Sequence, residues 1–371
     1  MDFALDAQQE ELRAVVRDFL HATSPESEVR RLMDTVDGVD RPLWRRMATE
    51  IGLQGLAVPE RFGGAGAGMV EVGVVLEELG RALACTPYFA STVLATTTLL
   101  RSGDEDACAS LLPGLVDGET IATLALTESS GRWDREGVAL QARPTPTGWS
   151  LNGHKSFVLD GVTADLVLTV ASTPDGDTGV FVVRGEADGL TRTTLPTLDP
   201  TRRQARLDYA DVAGFPLRRR DGWALVSEVL DVAAAALSAE QVGVAGQALD
   251  MAVAYAKIRH QFGRPIGSFQ AVKHLLADVL LEVESARAAA YFALSAVDRG
   301  DDDLPSVASL AKAFCSEACL RATEDNIQVH GGIGFTWEHP AHLYLKRART
   351  SQLLLGDPRY HRELLAQHIG L

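Results

Sequence analysis

From Ala7 to about Leu115 the apolar residues recur at intervals of three and four. Leu12, Val15, Val16 and Phe19 form one stripe, and Val72, Val75, Leu76 and Leu79 form another. Such spacing puts each set on one face of an α-helix, so the first part of the chain reads as helical. Between the stripes, the run from Leu56 to Gly66 (LAVPERFGGAG) is too rich in glycine for a helix and reads as a loop. The pattern changes near Glu119. Thr120 to Thr127 is rich in β-branched and apolar residues, and Leu151 to Leu159 follows a Pro-Thr-Gly turn signal. Leu166 to Val170 and Gly179 to Val183 flank Pro174-Asp175-Gly176-Asp177. Short strands joined by turn residues predict an antiparallel β unit up to about Leu217. From Gly222 long helical patterns return: Trp223 to Ile258, Phe269 to Arg299, Pro305 to Val329, His339 to Leu354, and Leu364 to Ile369. Asp301-Asp302-Asp303 reads as a solvated loop between helices. The expected fold class is α+β in three parts: an N-terminal helical domain (1–118), a central antiparallel β domain (119–218) and a C-terminal four-helix bundle (219–371).

At 371 residues the chain is too long for one small core. Its net charge of −15 argues against a nucleic-acid or anionic-membrane surface. Cys85, Cys108, Cys315 and Cys319 are too scattered for a disulfide framework. Cys315 and Cys319 sit one helical turn apart, but no histidine cluster joins them, so they read as core thiols and no metal site is expected. Met1-Asp2-Phe3 leads into an amphipathic helix without a basic n-region, which does not read as a signal peptide. No apolar run approaches the roughly 20 residues of a membrane span. A cytoplasmic, soluble protein is the expectation.

The densest candidate chemistry is Arg259-His260-Gln261-Phe262-Gly263-Arg264-Pro265-Ile266-Gly267-Ser268-Phe269-Gln270, at the end of the long Ala-rich helix. A second patch runs Gln328-Val329-His330-Gly331-Gly332-Ile333-Gly334-Phe335. An Arg fork matches a pyrophosphate, an aromatic face supports a flat base, and glycines let backbone N–H groups approach phosphate oxygens. Taken singly these residues have plainer uses: Arg259 as a cation at a helix C-terminus, and Gly331, Gly332 and Gly334 as a helix stop. Together they resemble the flavin-contacting segments of the acyl-CoA dehydrogenase family, and with the three-part layout the resemblance covers essentially the whole chain. The resemblance implies FAD as cofactor and an acyl-CoA thioester as substrate, oxidised at Cα–Cβ. It places Arg259, Gln261, Phe262, Phe269 and Gln270, with Gln328, Val329, Gly331 and Gly332, at the adenosine-pyrophosphate end of a FAD across a subunit boundary.

The flavin-ring half of the resemblance is thinner. The family's T-E-P-x-A-G-S-D strand end reads Thr127-Glu128-Ser129-Ser130-Gly131-Arg132-Trp133-Asp134, and its W-x-T strand reads Phe157-Val158-Leu159. Thr127 and Phe157 keep the implied cofactor contacts. Trp133 and Leu159 replace hydrogen-bonding residues. The family's catalytic glutamate is absent from both of its known places. One place is Leu355; the other, twenty-six residues before Arg259, is Ala233. Neither side chain can accept an α-proton. Two acids stand near. Glu240 lies seven residues past Ala233, about 10 Å along the same helical face, and Asp357 follows Gly356. Each also has a structural reading: Glu240 as a carboxylate paired with an Arg, and Asp357 as an N-cap for a helix begun by Pro358.

Retained cofactor contacts without a base imply a division of labour, similar to the heteromeric α2β2 acyl-CoA dehydrogenases of actinobacteria, several of which act on CoA thioesters of steroid side chains. The leading expectation is a base-less subunit of a heterotetramer with an acyl-CoA dehydrogenase paralogue that carries the glutamate. The alternatives are a self-sufficient homo-oligomer using Glu240 or Asp357, and a non-catalytic scaffold. An electron-transferring flavoprotein is the electron acceptor that the resemblance implies.

Overall fold

The computed structural model describes residues 5–146, 148–218 and 221–371. Met1-Asp2-Phe3, Thr147 of the Pro-Thr-Gly turn signal and the Arg219–Arg220 join before the last helices lie outside the described residues. Four of the described helices begin at an aspartate cap, at Asp6, Asp40, Asp104 and Asp357. Asp6 opens α1 (Ala7–Thr23) with a reciprocal cap: its carboxylate accepts from the Gln9 N–H at 2.9 Å, and the Gln9 side chain accepts from the Asp6 N–H at 3.1 Å. α2 (Glu26–Met33), α3 (Arg41–Thr49), α4 (Met69–Arg81), α5 (Thr96–Ser102) and α6 (Glu105–Val116) follow, with a π-helical stretch at Phe89–Ala95 before α5. The glycine-rich run predicted as a loop contains only one short 3-10 turn, Glu60–Phe62.

Seven strands come next: β1 (Ala122–Ala125), β2 (Gln141–Thr145), β3 (Gly148–Leu159), β4 (Leu166–Ser172), β5 (Thr178–Arg184), β6 (Leu190–Thr194) and β7 (Gln204–Pro216). They form one sheet that closes on itself through β4, β5, β7, β3 and β2, with β1 added beside β4 and β6 beside β7. The ladder is antiparallel apart from β1–β4 and the single parallel pair that joins β2 to β4. β1 reaches β4 in parallel because the whole β2–β3 hairpin intervenes and supplies the long crossover that a parallel pair requires. Inward side chains such as Leu151, Val167, Phe181, Val183, Leu207 and Val212 fill the ring.

The C-terminal helices are α7 (Gly222–Ile258), α8 (Gln270–Arg299), α9 (Leu304–His330), α10 (Ala341–Leu353) and α11 (Pro358–His368). A small hairpin links α7 to α8: β8 (His260–Gln261) pairs with β9 (Arg264–Pro265). Among the described residues, α7 alone is long and apolar enough to cross a membrane, and 67% of its most apolar window is buried inside the protein. That marks a core helix.

The chain divides into two compact units. One gathers Met1–Arg30, Met69–Ala84 and Ala234–Leu371, so that α1 and α4 belong with the C-terminal helices. In it, Glu77 of α4 ties three helices together. It accepts from Tyr291 Oη at 2.7 Å and Arg287 Nε at 3.2 Å on α8, and from Arg13 of α1 at 3.4 Å. α4 and α7 touch backbone to backbone: a Cβ at Gly243 would lie 1.8 Å from the Glu77 carbonyl oxygen, so only glycine fits there. The other unit, Arg31–Gly68 with Cys85–Ala233, holds the sheet together with α3, α5 and α6.

Candidate functional site

In the helical unit, the hairpin after α7 builds the first candidate segment. Phe262 and Gly263 form its two-residue turn, with φ of 52° and 78°. Positive φ at both central residues is what a type I′ hairpin turn requires. Gly263 adopts it freely, whereas a phenylalanine there carries strain of about 1–2 kcal/mol. That ring is also 91% exposed. A large aromatic side chain held in a strained backbone and bathed in solvent is a feature of binding sites. Phe269 meets Phe262 edge-on at 6.1 Å, and Arg264 lies 4.0 Å over the Phe269 ring. The Ile266 N–H donates to the Arg259 carbonyl at 2.8 Å and closes the loop behind them. Arg259, Gln261 and Gln270 are all exposed, and among the described residues Arg259 has no carboxylate partner.

The second segment ends α9. Gln328 is exposed, Val329 half-buried, and Gly331 (φ 64°) and Gly332 have open space where a Cβ would stand. Tyr255, one turn before Arg259, stacks on His330 with ring centres 4.3 Å apart. That contact brings the two segments together, although they are distant in sequence. Exposed amides, an uncommitted guanidinium, an exposed ring and open glycines fit the pyrophosphate and adenosine of a dinucleotide cofactor. Arg259, Gln261, Phe262, Phe269 and Gln270, with Gln328, Val329, Gly331 and Gly332, are the residues that would hold that end.

In the sheet unit, the Thr127 hydroxyl donates to the Ser156 carbonyl at 2.7 Å, and the Ser156 N–H returns a bond to the Thr127 carbonyl. Thr127 is buried, and its hydroxyl is committed to the backbone beside Phe157. Phe157 has φ 59° and is 43% exposed. A group the sequence reading missed sits between them. Lys155 is fully buried, and its ammonium donates to Glu128 at 2.8 Å and to the Leu126 carbonyl at 2.9 Å. Glu128 also accepts from the Ala139 and Leu140 N–H groups, each at 2.8 Å. Burial pulls Lys155 down to about 8, against the opposing pull of Glu128. Burial raises Glu128, but Lys155 and the two N–H donors outweigh it and hold the carboxyl below its usual range. Lys155→Met leaves a buried carboxylate without its counter-ion and is expected to cost about 3–5 kcal/mol in a urea melt. The signal in the sequence was a lone lysine at an inward position of a strand.

Ala233 is fully buried, and Leu355 is 3% exposed in a left-handed conformation, φ 64°. Glu240 forms an ion pair with Arg347 of α10 at 3.2 Å, and both side chains are almost wholly buried. Asp357 caps α11, its carboxylate accepting from the Tyr360 N–H at 2.8 Å. The Leu355 turn is itself braced. Fully buried Lys312 of α9 donates to Ser316 Oγ at 2.9 Å, Gly356 O at 3.2 Å and Gln352 O at 3.3 Å. His361 lies 3.1 Å from the Leu355 carbonyl. Burial lowers Lys312 to about 7, although its three acceptors suit an ammonium. Among the described residues no group of three His, Cys, Asp or Glu side chains could hold a metal, and both α9 thiols are buried, with Cys315 pushed up to about 12.

The chain belongs to the acyl-CoA dehydrogenase family, whose cofactor is FAD. The model described as "Acyl-CoA dehydrogenase, N-terminal domain" matches residues 6–119, and "Acyl-CoA dehydrogenase, C-terminal domain" matches residues 220–370. Acyl-CoA dehydrogenase IpdE2 of Mycolicibacterium smegmatis is 36% identical over 355 residues, covering 96% of each chain. Two solved structures are similar over nearly the full length. A single-site variant of the "Tcur3481-Tcur3483 steroid ACAD" is 34% identical, with a TM-score of 0.88 and 98% of each chain covered. The ChsE4-ChsE5 complex from Mycobacterium tuberculosis is 31% identical, with a TM-score of 0.91, covering 100% of this chain and 99% of the other. When bound, FAD supplies the hydride acceptor for the oxidation.

Proposed function

We propose that this chain is the base-less subunit of a heteromeric acyl-CoA dehydrogenase. It grips the adenosine-pyrophosphate end of a FAD held mainly by a paralogous partner, and the partner supplies the catalytic glutamate. One observation carries the reading. Both positions where the family keeps its carboxylate are buried and apolar, Ala233 and Leu355, and the two nearest acids are committed, Glu240 to Arg347 and Asp357 to a helix cap. A carboxylate that removes an α-proton must be within hydrogen-bond reach of it and free to accept it. Against this, the Arg259–Phe262 hairpin stands exposed and equipped for a ligand. Along the chain we keep the three segments 1–118, 119–218 and 219–371 as its domains, although by packing α1 and α4 group with the C-terminal helices. The similar Tcur3481-Tcur3483 protein is described as a steroid ACAD, and ChsE4-ChsE5 is a complex of two named components. These likenesses support a bulky steroid-type acyl-CoA as substrate and a heteromer; a cytoplasmic location and an electron-transferring flavoprotein as acceptor follow only the family resemblance.

The test is expression alone and with an acyl-CoA dehydrogenase paralogue that carries the glutamate. Alone, the chain should carry little flavin and show no bleaching with acyl-CoA; together, the pair should hold FAD and turn over. A yellow preparation of this chain alone that bleaches with acyl-CoA overturns the reading in favour of a self-sufficient enzyme. If Arg259→Ala leaves the flavin content of the pair unchanged, the chain is a scaffold.

A further inference from the structure

Three histidines crowd the end of α9 and the segment after it. His330 is 5% exposed, and its Nδ1 lies 2.8 Å from the Asn326 carbonyl oxygen. Nδ1 therefore carries the proton, and Nε2 is the atom left to titrate. His339 lies against the same ring, with centres 4.2 Å apart, so that Tyr255, His330 and His339 make a short stack. Beside it, His342 is 7% exposed and meets Trp337 edge-on at 4.6 Å. Among the described residues its Nε2 is buried without a hydrogen-bond partner. Glu26 and Arg30 of α2 act on His339 and His342, and Lys346 of α10 acts on His342. Arg17 and His21 of α1, Glu78 and Arg81 of α4 and the neighbouring Glu338 line the same cavity as His339.

We propose that this histidine stack is an acid-sensitive latch on residues 331–342. While the imidazoles are neutral, the stack pins the segment to α7 and α9. Two protonated rings 4.2 Å apart, the His330 ring buried, would place like charges in contact. All three histidines are depressed, mainly by burial, His342 to about 4. The native segment thus binds protons less readily than the released one. The latch is intact above the ordinary histidine range near 6.5 and weakens as pH falls through it towards 4. Because the segment begins at Gly331 and Gly332, release would slacken one of the two cofactor-end segments; that consequence rests on the proposed function, whereas the latch does not.

The test is hydrogen exchange by mass spectrometry on the full chain, corrected for the intrinsic rate. Between about pH 7.5 and about pH 5.5, exchange in a peptide spanning 331–342 should rise about tenfold, while β4–β5 peptides stay unchanged. His339→Phe, which keeps a ring in the stack without a titrating nitrogen, should cut that rise by about half or more, the remainder belonging to His342. An unchanged peptide in the wild type, or a variant that responds like the wild type, overturns the latch. If the variant misfolds, NMR titration of the wild-type imidazoles decides: depressed, mutually coupled transitions for His330 and His339 support it, and independent titration at the ordinary value overturns it. Neither readout uses flavin, so failure of the latch and failure of the subunit assignment are separable.

Discussion

Arg347→Ala should lower the unfolding free energy by about 3–5 kcal/mol, because it takes the Arg347 counter-ion from a buried carboxylate at Glu240. Equilibrium urea unfolding measures it. Glu240→Gln removes the charge but keeps the shape, leaving the Arg347 guanidinium short of its counter-ion, so it should also destabilise. Replacing both partners with apolar residues of similar volume should recover much of either loss, since breaking a buried pair costs more than never having one. The same variants test catalysis. If Glu240 is a strut, Glu240→Gln in the assembled pair retains turnover once folded. A loss of about 10²–10⁴-fold in the flavin-reduction rate at unchanged flavin content is the signature of a removed base. The ion pair predicts the first outcome.

The second large effect concerns the hairpin. Arg259→Ala in the partnered complex should weaken FAD retention by about 10–100-fold, the worth of hydrogen bonds to a charged group. Phe262→Gly offers a sharper test because it moves stability and binding in opposite directions. Glycine relieves the left-handed backbone and should stabilise the isolated chain by about 1 kcal/mol. The loss of an exposed ring should at the same time reduce flavin retention by the assembled pair. A variant that gains stability and loses nothing in binding would show that the ring has no ligand.

Much of the architecture was legible because long elements carry redundant signals. Trp223 to Ile258 has no proline and reads as helix on nearly every criterion; the observed helix is Gly222–Ile258. The apolar pattern shows α11 only from Leu364, because its first turns (Pro-Arg-Tyr-His-Arg-Glu) are mostly polar, but the Asp357-Pro358 capping signal marks its start, and the helix begins at Pro358. β7 was not singled out. Its alternation of Ala205, Leu207 and Tyr209 is interrupted near Asp211, whose φ of 55° sits opposite a register shift in β3, and a bulge of this kind moves later residues to the other face. For the site, motif spacing located the hairpin and the α9 end, and the structure added the Tyr255–His330 contact that joins them. What spacing could not supply was pairing across helices. Nothing in the sequence ties Glu240 to Arg347, Glu128 to Lys155, or Lys312 to the turn at Leu355, because such partners are chosen by packing.

The closed circuit of strands has a bearing on how this protein meets other chains. Within it every member has two neighbours, although β2 meets β4 at one pair and β5 meets β7 at two; among the described residues the two short additions, β1 and β6, have a single neighbour. β1 is further screened by the π-helical stretch, whose Ser91 hydroxyl accepts from the Ala122 N–H at 3.2 Å. A visiting polypeptide therefore finds little backbone to zip onto, a guard against indiscriminate sheet growth. A companion chain would then be recognised through side chains rather than through an added strand.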